Sequence, residues 1–97
     1  MQNLFDITNK VVVITGGTGV LGRAISVYLA EQGAKVVVMG RNKEKGEAIV
    51  SQILAHGGEA MFLATDVLDK SLLEQNLNDV LDRYGKVDVL LNGAGGN

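Results

Sequence analysis

The sequence has no cysteine, no proline and no tryptophan, and a single histidine in 97 residues. Without cysteine, disulfides, thiolate nucleophiles and sulfur-ligated zinc are excluded, and one imidazole is too little for a histidine metal site. That composition suits a reducing cytoplasm. No apolar run approaches the roughly 18 residues needed to cross a bilayer, and residues 1–10 lack the charged-then-apolar order of a signal peptide, so no membrane partner is expected. Charge of one sign is also lacking. Nine basic and eleven acidic residues leave a formal charge of -2, without the basic surplus that a nucleic-acid partner requires. Glycine, by contrast, is plentiful: there are thirteen, against two tyrosines and two phenylalanines. With 46% hydrophobic and 21% charged residues, the composition is that of one small globular domain.

Four short apolar runs alternate with longer segments of helical period. Val11 to Thr15, Lys35 to Met39, Ala60 to Ala64 and Val87 to Asn92 read as strands. Their unbroken Val/Leu/Ile character, without polar alternation, fits strands buried on both faces of a parallel sheet. The first helix places Leu21, Ala24, Ile25 and Tyr28 on one face. The second, Lys43 to His56, keeps Ile49, Ile53 and Leu54, and the third carries Leu73, Leu77, Val80, Leu81 and Tyr84. Asn42 and Asp69 are expected N-caps, and Gly33, Gly57 and Gly85 are expected to end the helices. The order β-α-β-α-β-α-β predicts an α/β fold, a Rossmann-type doubly wound parallel sheet with the first strand central. A (β/α)₈ barrel would need about 250 residues. Residues 1–97 are therefore expected to form one Rossmann-type domain, truncated after the fourth strand. The outer edge of that strand is then unpaired, and self-association into a homo-oligomer is expected.

The chemistry begins where the first strand ends, in Thr15-Gly16-Gly17-Thr18-Gly19-Val20-Leu21-Gly22. Gly17, Gly19 and Gly22 fit the G-x-G-x-x-G spacing, which permits a tight turn, close approach of backbone to a pyrophosphate, and close packing of helix on strand. The following helix N-terminus offers free N–H groups to phosphate. An ordinary glycine-rich turn would carry the same residues, but here strand, motif and helix come in the required order. No Gly-Lys-Ser/Thr closes the motif, which excludes a P-loop. At the end of the second strand, Met39-Gly40-Arg41-Asn42 has no acid to accept from ribose hydroxyls, and the first carboxylate is Glu44. Arg41 can instead pair with a 2'-phosphate and lie against adenine. NADP is thus favoured as the cofactor, with NAD left open. Arg23, just past the glycines, reads as a surface residue that could assist with phosphate charge.

These residues resemble the short-chain dehydrogenases/reductases over essentially the whole chain. Thr15-Gly16 with Gly19 and Gly22 is similar to the family's glycine signature, in the spacing of its extended branch, Val20 standing where the commoner branch has glycine. Thr65-Asp66-Val67 resembles the family's Asp-Val pair, which implies that Asp66 accepts from the adenine amino group; a helix-capping aspartate is the plainer role. Asn92-Gly93-Ala94-Gly95 is similar to the Asn-Asn-Ala-Gly turn, which would border the cofactor's ribose. Those two motifs, with Phe5 and Lys10 ahead of the first strand, resemble the commoner branch. The cofactor-binding set is therefore Gly16, Gly17, Thr18, Gly19, Val20, Leu21, Gly22, Arg41, Asn42, Asp66, Val67, Asn92, Gly93, Ala94 and Gly95. The glycine string and Asn92 to Asn97 resemble a subgroup described as D-mannonate oxidoreductases, which implies a sugar-acid substrate.

The family's catalytic Ser and Tyr-x-x-x-Lys do not occur. Tyr28 is followed four residues later by Gln32, and Tyr84 by Asp88. Both tyrosines fall on apolar helix faces and are expected to pack in the core. Ser26, Ser51 and Ser71 lie in expected helices, His56 near a helix C-terminus, and Glu74, Asp79 and Asp82 on a solvated face. No catalytic or metal-ligating residue is assigned. The expected function is an NAD(P)-dependent oxidoreductase that moves hydride between nicotinamide and a small carbonyl or alcohol substrate, with only the dinucleotide site held by this chain. The alternative is a non-catalytic nucleotide-binding or regulatory module. An S-adenosylmethionine methyltransferase also uses such a turn, but Thr15-Gly16 and Arg41 count against it.

Overall fold

Val11, Val12, Val13 and Ile14 are each at most 2% exposed, as an unbroken apolar strand must be when both sheet faces are covered. The computed structural model describes residues 6–66 and 68–92. Its elements run β1 (Val11–Thr15), α1 (Val20–Glu31), β2 (Lys35–Gly40), α2 (Lys43–Ala55), β3 (Glu59–Ala64), α3 (Lys70–Tyr84) and β4 (Val89–Asn92). The strands form one parallel sheet in the order β3-β2-β1-β4, with Val12 opposite both Val36 and Val89.

The two-residue period of a strand divides the core. Val12, Ile14, Val36 and Val38 face one way, onto Ala30 of α1 and onto Ile49 and Ile53 of α2. Val11, Val13, Val37 and Met39 face the other way, onto Val80 of α3 with Leu73, Leu77 and Tyr84 beside it. The sheet is therefore doubly wound, as expected. Each fully buried valine or isoleucine contributes about 1.5–3 kcal/mol, so the sheet centre dominates the stability. Among the described residues, no helix is long and apolar enough to cross a membrane.

The expected caps are present. Asn42 Oδ1 accepts from the Lys45 N–H at 3.0 Å, and Asp69 Oδ1 accepts from the Leu72 N–H at 3.0 Å. Gly33, Gly57 and Gly85 follow their helices at φ 94°, 82° and 77°, a region costly for residues with a Cβ. Ser26, Ser51 and Ser71 lie in helices, and Glu74, Asp79 and Asp82 are exposed.

Three details differ from expectation. The sheet-facing residues of α1 are Gly22, Ser26 and Ala30, whereas Leu21 and Tyr28 are 65% and 60% exposed. Tyr28 is therefore not a core residue. The reason is close approach at the start of α1, where Gly22 meets the Gly17 backbone; this turns Gly22, Ser26 and Ala30 inward with Ile25, Val27 and Leu29 packing at the sides, and Ser26 satisfies its buried hydroxyl on the Gly22 carbonyl at 2.7 Å. On α3, Leu81 is 45% exposed, while the buried polar residue Asn76 donates to the Ala64 carbonyl at 2.9 Å. Tyr84 does pack against the α3 side of the core. Finally, β4 begins at Val89, not Val87. Asp88 intervenes, its N–H donating to the Val11 carbonyl and its carboxylate accepting from the Val11 N–H.

Candidate functional site

At the carboxyl ends of β1, β2 and β3 lies a cleft of about 610 Å³, within the size range of small-molecule sites. A second cleft, between α1 and α2 beside Val27 and His56, has about 90 Å³ and is too small for a nucleotide.

The wall from β1 is built by glycine. Gly16 leaves the strand at φ 67°, turning the chain back, and the Gly17 N–H donates to the Met39 carbonyl at 3.1 Å, which ties the turn to the end of β2. A Cβ on Gly22 would lie 2.6 Å from the Gly17 Cα, so helix and turn meet backbone to backbone. That contact sets the start of α1 at the cleft. Its N-cap, Gly19, supplies no side-chain hydrogen bond, and the first helical bond runs from the Arg23 N–H to the Gly19 carbonyl at 2.8 Å. The amides of residues 20–22 thus have no helical acceptor, and the positive end of the helix dipole lies with them. The starts of α2 and α3 are instead closed by Asn42 and Asp69.

The other walls come from the ends of β2 and β3. Gly40, Arg41, Asn42 and Lys45 line one, and Thr65, Asp66 and Leu68 the other. Gly40 leaves room for Thr18, whose Cγ2 would be 2.8 Å from a Cβ there. The Thr65 N–H donates to the Gly40 carbonyl at 2.9 Å, which holds the two walls together. Asp66 does not cap a helix, since the N-cap of α3 is Asp69; its Oδ1 accepts from the Leu68 N–H at 2.9 Å in the turn before α3, and it lines the cleft.

Of the expected residues, Gly16, Thr18, Gly19, Val20, Arg41, Asn42 and Asp66 share the cleft. Gly17 and Gly22 shape it from behind, and Leu21 is exposed beside it. Asn92 is not in its lining; it accepts from the Thr15 hydroxyl at 3.3 Å, joining β4 to β1. Val67, Gly93, Ala94 and Gly95 lie outside the described residues. Gly40, Lys45, Thr65 and Leu68 also line the cleft and were outside the expected set. The cap at Asn42, which places Lys45 on the first turn of α2, is the signal that points to Lys45; for a threonine ending a strand there is none.

Comparison with known proteins decides the family. The family model for short chain dehydrogenase matches residues 10–97. The chain belongs to the short-chain dehydrogenase family. It is 49% identical over 92 residues to the uncharacterized oxidoreductase UxuB of Bacillus subtilis strain 168, covering 95% of this chain and 33% of that protein. A metagenomic short-chain oxidoreductase solved in complex with NADP superposes with a TM-score of 0.83 at 35% identity, covering 88% of this chain and 38% of that one. An NAD+-bound xylitol dehydrogenase superposes with a TM-score of 0.83 at 28% identity, covering 87% and 32%. The chain thus spans about a third of the length of such relatives. The family binds a nicotinamide cofactor, in either form. The cleft fits such a group on its own terms. A Cβ would fill the glycine turn, and the buried Thr65 hydroxyl in the cleft's wall has no hydrogen-bond partner among the described residues. An orphaned buried hydroxyl costs about 1–3 kcal/mol unless a ligand or water satisfies it.

Proposed function

We propose that this chain forms the dinucleotide site of an NADP-preferring oxidoreductase, which transfers hydride between nicotinamide and a carbonyl or alcohol of a small molecule. The substrate class suggested by the glycine and Asn92 strings is a sugar acid. One observation carries the cofactor choice: Arg41 lines the cleft at the end of β2, and the β2–α2 wall contributes no carboxylate to it.

The residues divide the work by chemistry. The uncapped amides at the start of α1, with Gly16, Thr18 and Gly19, hold the pyrophosphate. Arg41 pairs with the 2'-phosphate, Asn42 borders the ribose, and Asp66 accepts from the adenine amino group. Val67 and residues 93–95 are assigned to the same site by resemblance. The bound cofactor supplies or takes up the hydride. No residue among 1–97 is assigned the proton transfer, because no Tyr-x-x-x-Lys occurs in the sequence.

The test is calorimetric titration of the protein with NADPH and NADH. NADPH is expected to bind more tightly, and tighter binding of NADH would overturn the cofactor choice.

A further inference from the structure

We infer that Asn76, on α3 and outside the cleft, is a positioning residue for the base: it fixes the peptide ahead of Asp66 and so sets how sharply the site distinguishes adenine from other purines. This rests on the reading above that Asp66 accepts from the adenine amino group.

The peptide between Ala64 and Thr65 is held on both sides. Its N–H, from Thr65, donates to the Gly40 carbonyl of β2 at 2.9 Å, and its carbonyl, from Ala64, accepts from Asn76 Nδ2 at 2.9 Å. Because β3 stands at the end of the order β3-β2-β1-β4, no strand among the described residues meets that carbonyl, and a helix side chain satisfies it instead. The next residue is Asp66. Its own carbonyl accepts from the Asp69 N–H at 2.9 Å, and its Oδ1 from the Leu68 N–H at 2.9 Å. The hold therefore passes from Asn76, through one peptide, into the turn that lines the cleft.

Packing does not call for an amide at this place. Asn76 is 5% exposed and lies three residues after Leu73 and four before Val80, on the face of α3 that meets the sheet. A buried amide is costly unless it is bonded, and an apolar residue of similar size would pack there without that cost. What the amide supplies and leucine does not is a directed hold on one carbonyl, where β3 leaves the sheet for the cleft. Recognition of a ligand group needs the residue that reads it held to within about 0.5 Å.

Adenosine 5'-monophosphate and inosine 5'-monophosphate differ at position 6 of the purine, an amino donor in the first and a carbonyl in the second. Their affinity ratio thus reads the contact to Asp66 and cancels those to phosphate and ribose. Both are titrated calorimetrically into wild type, Asn76→Leu, Asn76→Ala and Val80→Ala, with urea midpoints measured beside them. Wild type is expected to favour the adenine nucleotide by about tenfold, as one charge-assisted hydrogen bond would. Asn76→Leu, which fills the space without the donor, and Asn76→Ala, which removes both, are expected to cut that preference to about threefold or less. Val80→Ala opens a cavity one turn along the same helix, so it is expected to lower the midpoint yet keep the wild-type ratio within about twofold. A wild-type preference that both Asn76 variants keep, or that Val80→Ala loses equally, makes Asn76 merely structural and overturns the inference alone. Equal wild-type affinity for the two nucleotides overturns the role of Asp66 and the inference with it.

Discussion

Gly22 and Gly17 touch through their backbones: a Cβ built on Gly22 would fall 2.6 Å from the Cα of Gly17 and 2.8 Å from its carbonyl carbon and oxygen. The obstacle is main chain, which cannot rotate aside, so α1 must move to accept any larger residue. Moving α1 shifts the amides that face the cleft.

Gly22→Ala is therefore expected to destabilise the protein by about 1–3 kcal/mol, as overpacking does. Alanine's helix propensity returns at most about 1 kcal/mol, less than the clash costs. Urea denaturation followed by circular dichroism reads the difference, and an unchanged or higher midpoint would contradict the contact.

Arg41→Asp is expected to weaken NADPH by about 1.5–3 kcal/mol, the loss of a charge-assisted hydrogen bond to phosphate. NADH should gain, because a carboxylate at this place can accept from ribose hydroxyls. Titration of both cofactors measures the reversal. Parallel weakening of the two would place Arg41 on a feature that they share.

Asp88 joins β4 to the start of β1. The Val11 N–H at 2.8 Å, and then the Lys86 ammonium at 2.9 Å, hold its carboxyl below the ordinary aspartate value of 3.8. A lowered folded-state value means stability that is fully present above the unfolded value and lost as pH falls through the folded one. Wild type is thus expected to lose stability below about pH 4, and Asp88→Asn to lose less over that window. Asp6, lowered by Thr8, retains part of the acid dependence in the variant. Urea midpoints from pH 3 to 6 test this, and identical pH slopes would remove Asp88 from the account.

At the end of the sheet, β4 leaves Leu90 58% and Val89 38% exposed, and an apolar edge strand offers unpaired backbone groups to another chain. The 97-residue polypeptide is expected to self-associate with rising concentration, and Leu90→Lys to suppress it. Sedimentation velocity over a concentration series decides. A monomer throughout would mean that the edge is covered.

The sequence by itself determined the sheet, the order of its elements and the glycine turn. Unbroken apolar runs such as Val11–Ile14 and Val36–Met39 suit only strands covered on both faces, and caps such as Asn42, Asp69 and Gly85 are local chemistry, readable without knowing what packs where. Tertiary structure alone decided which helix face meets the sheet. On α1 the apolar period pointed to Leu21, Ala24, Ile25 and Tyr28, of which only Ile25 packs against the core; close approach at Gly17 turns Gly22, Ser26 and Ala30 inward, because the separation of helix and sheet outweighs the hydrophobicity of single side chains. It also decided the company that Arg41 keeps. Lys45 lies near it on the first turn of α2, but Thr65 and Asp66 follow β3, and only the parallel register of β2 and β3, with the Thr65–Gly40 hydrogen bond across it, brings them to the same cleft.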